Sequence, residues 1–283
     1  MKILITGVNG FIANNLAKHL YKNNHEVYGT SSKDINNSSC KETFRLKIGD
    51  KLDIKDINFD WVIHCVYDKN LTIKENTGST ISWAKELKSR GVKNQLFISS
   101  ISAISGNDSE YSLIKQKTEQ WFLSNNMNVI RPGLVVGDGG LFKQMIKKVI
   151  SFPVMPLVNA GNSDVKLIGI KDLISKINNI LDRTLAHKEI NIFYSNKFIL
   201  KDVLIGLSKF YGKKIFFINI PFFIIFSIVK VLEILKINIG VTSQNIKGLV
   251  SNEIDTKCDV DLKKDILQIL EENLRNPFEK NTI

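Results

Sequence analysis

The chain has 283 residues, 43% hydrophobic and 24% charged, a balance that excludes a disordered or fibrous protein and a length that suits one large domain with a smaller dependent lobe. Lysine and arginine outnumber aspartate and glutamate by 39 to 28, a net charge of +11 that favours anionic partners, but the basic residues are dispersed and form no nucleic-acid-binding motif. Cys40, Cys65 and Cys258 are irregularly spaced and make no metal-type pairing with one another or with the four histidines, so reduced thiols, cytoplasmic residence and no metal are expected.

The first predicted elements are a strand, a turn and a helix. Lys2-Ile3-Leu4-Ile5 runs into Thr6-Gly7-Val8-Asn9-Gly10-Phe11-Ile12-Ala13, and apolar residues then recur at helical spacing through 14–23. With the first strand starting this early, no leader segment is expected. Gly7 allows a sharp turn, Gly10 leaves room for a ligand beside the backbone, and the N–H groups of the new helix suit a pyrophosphate. A glycine turn without a ligand would read the same way. Residues 25–30 form the second strand, whose end selects between dinucleotides, because a carboxylate there bonds the ribose of NAD and repels a 2′-phosphate. Ser31, Ser32 and Lys33 stand there instead, so NADPH is preferred and NAD is the alternative. Residues 46–50 read as the third strand and 60–66 as the fourth.

A helix follows, with Asn76 early in it and Gly91 closing it. The apolar strand 95–100 delivers Ser99 and Ser100 at its carboxyl end. Next comes Tyr111-Ser112-Leu113-Ile114-Lys115, whose spacing of four puts Tyr111 and Lys115 on one helical face. A cation beside a tyrosine is expected to lower its pKa toward the range useful for acid–base work. Such pairs also occur on ordinary surfaces, and this one gains weight from following the glycine turn and the Ser-Ser strand. Residues 128–137 read as a strand through Arg131 and Pro132, with Arg131 buried and structural. Residues 165–173 and 191–193 are two later strands only by the family resemblance given below. The run 215–231 is nearly all apolar but is broken by Asn219, Pro221 and Lys230, so a strand ending near Ile220 and a buried helix from Pro221 are expected, with peripheral membrane contact the minority reading.

These motifs, in this order, resemble the extended short-chain dehydrogenase/reductases, the nucleotide-sugar epimerases, dehydratases and reductases. The likeness runs from Lys2 to about Tyr211 and includes 60–66, similar to the family's Asp-x-Val-Ile-His-x-Ala segment, although Cys65, Val66 and Tyr67 replace the usual small residues. It implies an α/β fold, a Rossmann-type doubly wound parallel sheet over 1–140, with 141–283 mainly a substrate lobe and segments near 165–195 returning to the core. It assigns cofactor contacts to Gly7, Asn9, Gly10, Phe11, Ile12, Ser31, Ser32, Lys33, Asp50, His64 and Lys115. Tyr111 would be the proton donor, Lys115 its partner and Ser100 the group that orients the carbonyl, with Ser99 and Ser102 as substitutes. A 4,6-dehydratase would carry an Asp-Glu pair directly after that serine, where Ile101-Ser102 stands. The expectation is therefore an NADPH-dependent reductase of a nucleotide-linked 4-keto-6-deoxy sugar, with an NAD-dependent epimerase or a non-catalytic NADP-binding or membrane-associated scaffold as alternatives. The expected partner is a nucleotide-diphosphate sugar, for which Lys143, Lys147, Lys148 and Lys166 are candidate contacts. Relatives often pair through the helices that carry such a dyad, which leaves a homodimer open.

Overall fold

The computed structural model describes residues 1–104, 109–182, 189–235, 256–260 and 262–274. The chain divides into two compact units, one of 1–103, 110–131 and 172–190, the other of 104–109, 132–171 and 191–283. In chain order the elements are β1 (Lys2–Thr6), α1 (Phe11–Lys22), β2 (Glu26–Ser31), β3 (Glu42–Arg45), β4 (Trp61–His64), α2 (Ile73–Ser89), β5 (Asn94–Ile98), α3 (Glu110–Ser124) and β6 (Asn128–Pro132). There follow β7 (Leu134–Val136), α4 (Gly140–Ser151), β8 (Val154–Val158), β9 (Leu167–Gly169), α5 (Ile170–Leu181), β10 (Glu189–Ile192), α6 (Leu200–Phe210), β11 (Phe216–Ile220), α7 (Phe222–Ile234) and a last described helix, Ile266–Asn273.

The first unit is built on a seven-stranded sheet in the order β10-β6-β5-β4-β1-β2-β3. The pairings from β3 across to β6 are all parallel. Parallel strands covered on both faces must be apolar on both, and Ile3, Leu4, Ile5, Val62 and Ile63 are fully buried. The strand order reverses between β1 and β4, the switch point where open α/β sheets bind ligands. Thr6 lies opposite His64 in that register, so the glycine turn and His64 sit side by side at the carboxyl edge.

Several boundaries differ from expectation. The third strand is Glu42–Arg45, not 46–50, and pairs from Tyr28 opposite Glu42 to Ser31 opposite Arg45. Phe44 fixes it by stacking on Tyr28, ring centroids 6.5 Å apart, whereas Gly49 at φ +99° bends the following residues into a turn. The strand expected over 128–137 is two strands. A Cβ at Gly133 would stand 2.4 Å from the Lys166 carbonyl oxygen, and this close approach sends β7 off to pair with β9.

In the second unit β7 and β9 form one parallel two-stranded ribbon and β8 and β11 another. Pro221 opens α7 as expected, but the helix is not buried: Val229 is its one buried side chain, and Phe223 is 69% exposed. Among the described residues no helix is long and apolar enough to cross a membrane.

Candidate active site

Three of the expected residues meet at the carboxyl end of β5 and the start of α3, all within the first unit. Lys115 is buried and donates from Nζ to the Ile98 carbonyl at 2.8 Å. Its ammonium lies 5.7 Å from the centroid of the Tyr111 ring. The Ser100 hydroxyl lies close enough to the Tyr111 phenol to act on its titration. The Ser100 hydroxyl also accepts from Ser102 Oγ at 3.0 Å and from Ser102 N at 3.2 Å. Ser99 is turned the other way. Its hydroxyl donates to Glu119 Oε2 at 2.7 Å, inside a buried network in which Arg131 forks onto Glu119 at 2.9 to 3.2 Å and also reaches Glu189 at 2.8 Å. Of the two adjacent serines, one faces the phenol and the other ties β5 to an ion pair.

The expected lowering of the tyrosine pKa is not what the geometry produces. Desolvation of the phenol end pushes Tyr111 up to about 12, although the residue as a whole is 37% exposed, and the nearby Ser100 hydroxyl acts against this only in part. Burial likewise brings Lys115 down to about 8, with Cys65 and Glu119 favouring its cation. The phenol is thus firmly protonated at neutral pH, and the ammonium beside its ring is ready to stabilise a phenolate once the proton has left.

The glycine turn supplies a second part of the site. Gly7 has φ +67°, a left-handed conformation that glycine adopts without strain, and its N–H donates to Thr30 Oγ1 at 3.1 Å. A Cβ there would press to 3.2 Å on Val66. Gly10 caps α1 with no side-chain hydrogen bond, and no acidic residue occupies the first turn, so the opening N–H groups, Phe11 and Ile12 among them, point at a place suited to an anion. Asn9 bonds through Nδ2 to Ser31 Oγ at 3.1 Å, and Asn37 donates to Asn9 Oδ1 at 3.2 Å and to Asn14 Oδ1 at 3.0 Å. This amide cluster holds the turn to the end of β2, where Ser32 and Lys33 are exposed. These features fit a dinucleotide diphosphate.

The remaining expected contacts lie at varied distance from that turn. His64, at the end of β4, is fully buried; it bonds through Nε2 to Gln95 Oε1 at 2.9 Å and packs edge-on to Phe122. Burial lowers its pKa to about 4, so it is a neutral wall and not a proton donor. Asp50 is exposed in the turn after β3, where its carboxylate accepts from Lys47 N at 3.0 Å and its carbonyl from Trp83 Nε1 at 2.9 Å. In the second unit Lys143 pairs with Asp138 at 3.0 Å, Lys166 pairs with Asp164 at 2.8 Å, and Lys147 is exposed. Burial pushes the Cys40 and Cys65 thiols up to about 11 and about 12, which removes them as nucleophiles.

Two residues escaped the sequence reading. Tyr67 sets its ring edge-on to Tyr111 at 5.0 Å, and the only signal was a bulky side chain where relatives are small. Arg45 ends β3 in register with Ser31 and pairs with Asp34 at 3.0 Å, so a second cation stands at the end of β2. It was hidden because the third strand was placed too late.

Solved structures share this fold. The NDP-hexosamine 5,6-dehydratase TunA is 17% identical with a TM-score of 0.65, covering 77% of this chain and 84% of that one. The UDP-glucuronic acid 4-epimerase of Bacillus cereus is 19% identical with a TM-score of 0.65, over 78% and 86%. The ADP-L-glycero-D-manno-heptose-6-epimerase of Helicobacter pylori is 20% identical with a TM-score of 0.64, over 77% and 85%. No curated protein matches in sequence. Residues 3–192 match the family model described as the NAD dependent epimerase/dehydratase family. That match spans most of the chain, including the glycine turn and the Tyr111–Lys115 corner, and the chain belongs to the NAD-dependent epimerase/dehydratase family.

Proposed function

We propose that the chain is an NADPH-dependent reductase of a nucleotide-linked 4-keto-6-deoxy sugar, acting in the supply of glycan precursors. The observation that carries this reading is the chemistry at the end of β2. Ser31, Ser32 and Lys33 offer hydroxyls and a cation, Arg45 lies in register beside them, and the nearby carboxylate, Asp34, is paired with Arg45. That set suits a 2′-phosphate, and the last residue of β2 is Ser31 where a carboxylate would take a ribose 2′-hydroxyl.

The glycine turn and the uncapped start of α1 would hold the diphosphate, and Lys115 the nicotinamide ribose. NADPH, when bound, supplies the hydride. Tyr111 gives its proton to the sugar oxygen, and a phenol held near pKa 12 stays protonated for that task at neutral pH. Ser100 orients the same oxygen by hydrogen bonding, and the Lys115 cation offsets the charge left on the phenol. Tyr67 narrows the space beside the Tyr111 ring.

An NAD-dependent nucleotide-sugar epimerase is the second reading, and the family match favours it. One experiment separates them. The purified protein is titrated with NADPH and NADH, then given NADPH with a panel of nucleotide-linked 4-keto sugars while the reduced-nicotinamide absorbance is followed. Tighter binding of NADPH and its consumption with one sugar support the reductase. Retained NAD, with no net consumption and interconversion of two sugars, assigns the epimerase instead.

A further inference from the structure

Helix α7 breaks the pattern of a surface helix. Phe222, Ile225, Phe226 and Val229 recur at helical spacing and pack with Val158 of β8 into one small apolar cluster. The opposite face should then be polar, yet it carries Ile224, Ile228, Val231 and Leu235, with Ser227 the one hydroxyl among them. Phe223 and Ile234 flank that face at 69% and 73% exposure. The adjoining ribbon does the same. Phe216 pairs with Val154 and Ile218 with Pro156, and Phe216 and Ile218 are 67% and 53% exposed. Exposed apolar side chains concentrated on two neighbouring elements mark an interaction site.

The charges around it indicate what covers it. Along β11 and α7, from residue 213 to 235, the sequence sets Lys213, Lys214 and Lys230 against Glu233 alone. Lys213 and Lys214 are exposed at the foot of β11. Lys230 lies 5.8 Å from the Phe226 ring, its stem along apolar surface and its charge at the edge. A second copy docking by the same face across a two-fold axis would set lysine against lysine. An anionic bilayer satisfies the apolar face and the cations together. At 13 residues α7 is short of the ~20 that span a bilayer.

The geometry points to a bilayer-docking face, formed by the outward side of α7 and the β8–β11 ribbon, that binds anionic phospholipid surfaces. It does not depend on which dinucleotide or sugar the first unit takes. The full chain is tested by flotation with vesicles of phosphatidylcholine alone and with phosphatidylglycerol added. Co-flotation with the anionic vesicles only, weakened by salt, is expected. Replacing Lys213 and Lys214 together by alanine lowers the partition coefficient roughly thirtyfold, from about 1 kcal/mol for each lysine. Phe216→Ser with Phe223→Ser abolishes flotation; circular dichroism checks that this variant folds, and the lysine pair decides if it does not. No flotation with anionic vesicles overturns the inference. So does equal flotation with both vesicle types, and so does a dimer in sedimentation that Phe223→Ser dissolves while no vesicle is bound.

Discussion

Helices α3 and α7 depart from the amphipathic rule in opposite directions. Helix α3 draws polar groups inward: Ser112, Lys115, Thr118 and Glu119 are all buried. Helix α7 turns apolar groups outward, with only Val229 buried. A buried polar group is costly unless something inside answers it, and on α3 each of two charges has its answer, Arg131 for Glu119 and the Ile98 carbonyl for Lys115. An exposed apolar side chain is costly unless something outside covers it. On the readings proposed above, the first deviation marks where the chemistry happens within the chain, and the second where the chain meets another surface.

The sharpest way to probe the inward helix is to remove its phenol. Tyr111→Phe is expected to lower kcat by about 10²- to 10⁴-fold while thermal stability changes little, as measured by steady-state turnover and calorimetry. Glu119→Ala should do the reverse. It strands the buried Arg131, half relieved by Glu189, and costs about 3 kcal/mol in denaturant unfolding. If Glu119 proved neutral, the polar interior of α3 would not be a structural device at all.

His64, packed on Phe122 of α3, supplies the pH dependence. Its pKa is about 4 in the folded chain against 6.5 for the ordinary group, so the unfolded state binds the extra proton between those values. Stability is full above pH 6.5 and falls as pH drops toward 4, by on the order of 3 kcal/mol. Unfolding measured at both ends reads it, and His64→Leu should flatten that limb. The two serines give a smaller, paired effect. Ser99→Ala is expected to cost about 1 to 2 kcal/mol of stability with kcat intact. Ser100→Ala should keep stability and lower kcat about 10²-fold. The least effect belongs to α7, where Phe223→Ser should move stability by less than about 0.5 kcal/mol, since the ring touches mostly water.

Much of this was legible in the residues. Glycines at 7 and 10 after an apolar strand are a local signal, and so is a spacing of four between Tyr111 and Lys115, because both depend only on backbone geometry. What could not be read is long-range. Strand β3 owes its place to Phe44 stacking on Tyr28, and the direction of Ser99 is set by Glu119, 20 residues away. The raised tyrosine pKa is hidden from the sequence for the same reason, since proximity of a lysine is visible in a sequence and desolvation is not. The exposure of α7 was masked by composition, because an apolar helix in a core and one facing outward are written with the same letters.

One detail of the glycine turn bears on how the protein ages. Asn9 followed by Gly10 is the dipeptide most prone to lose ammonia through a cyclic imide, which forms when the glycine nitrogen attacks the asparagine side chain. Here the Gly10 N–H is engaged with the Gly7 carbonyl at 2.9 Å, and the Asn9 amide is gripped by Ser31 and Asn37. Both reacting groups are thus restrained by the bonds that shape the turn. Folding guards the chain against acquiring a carboxylate at the spot where a diphosphate would be received, and loss of that grip would show first as deamidation.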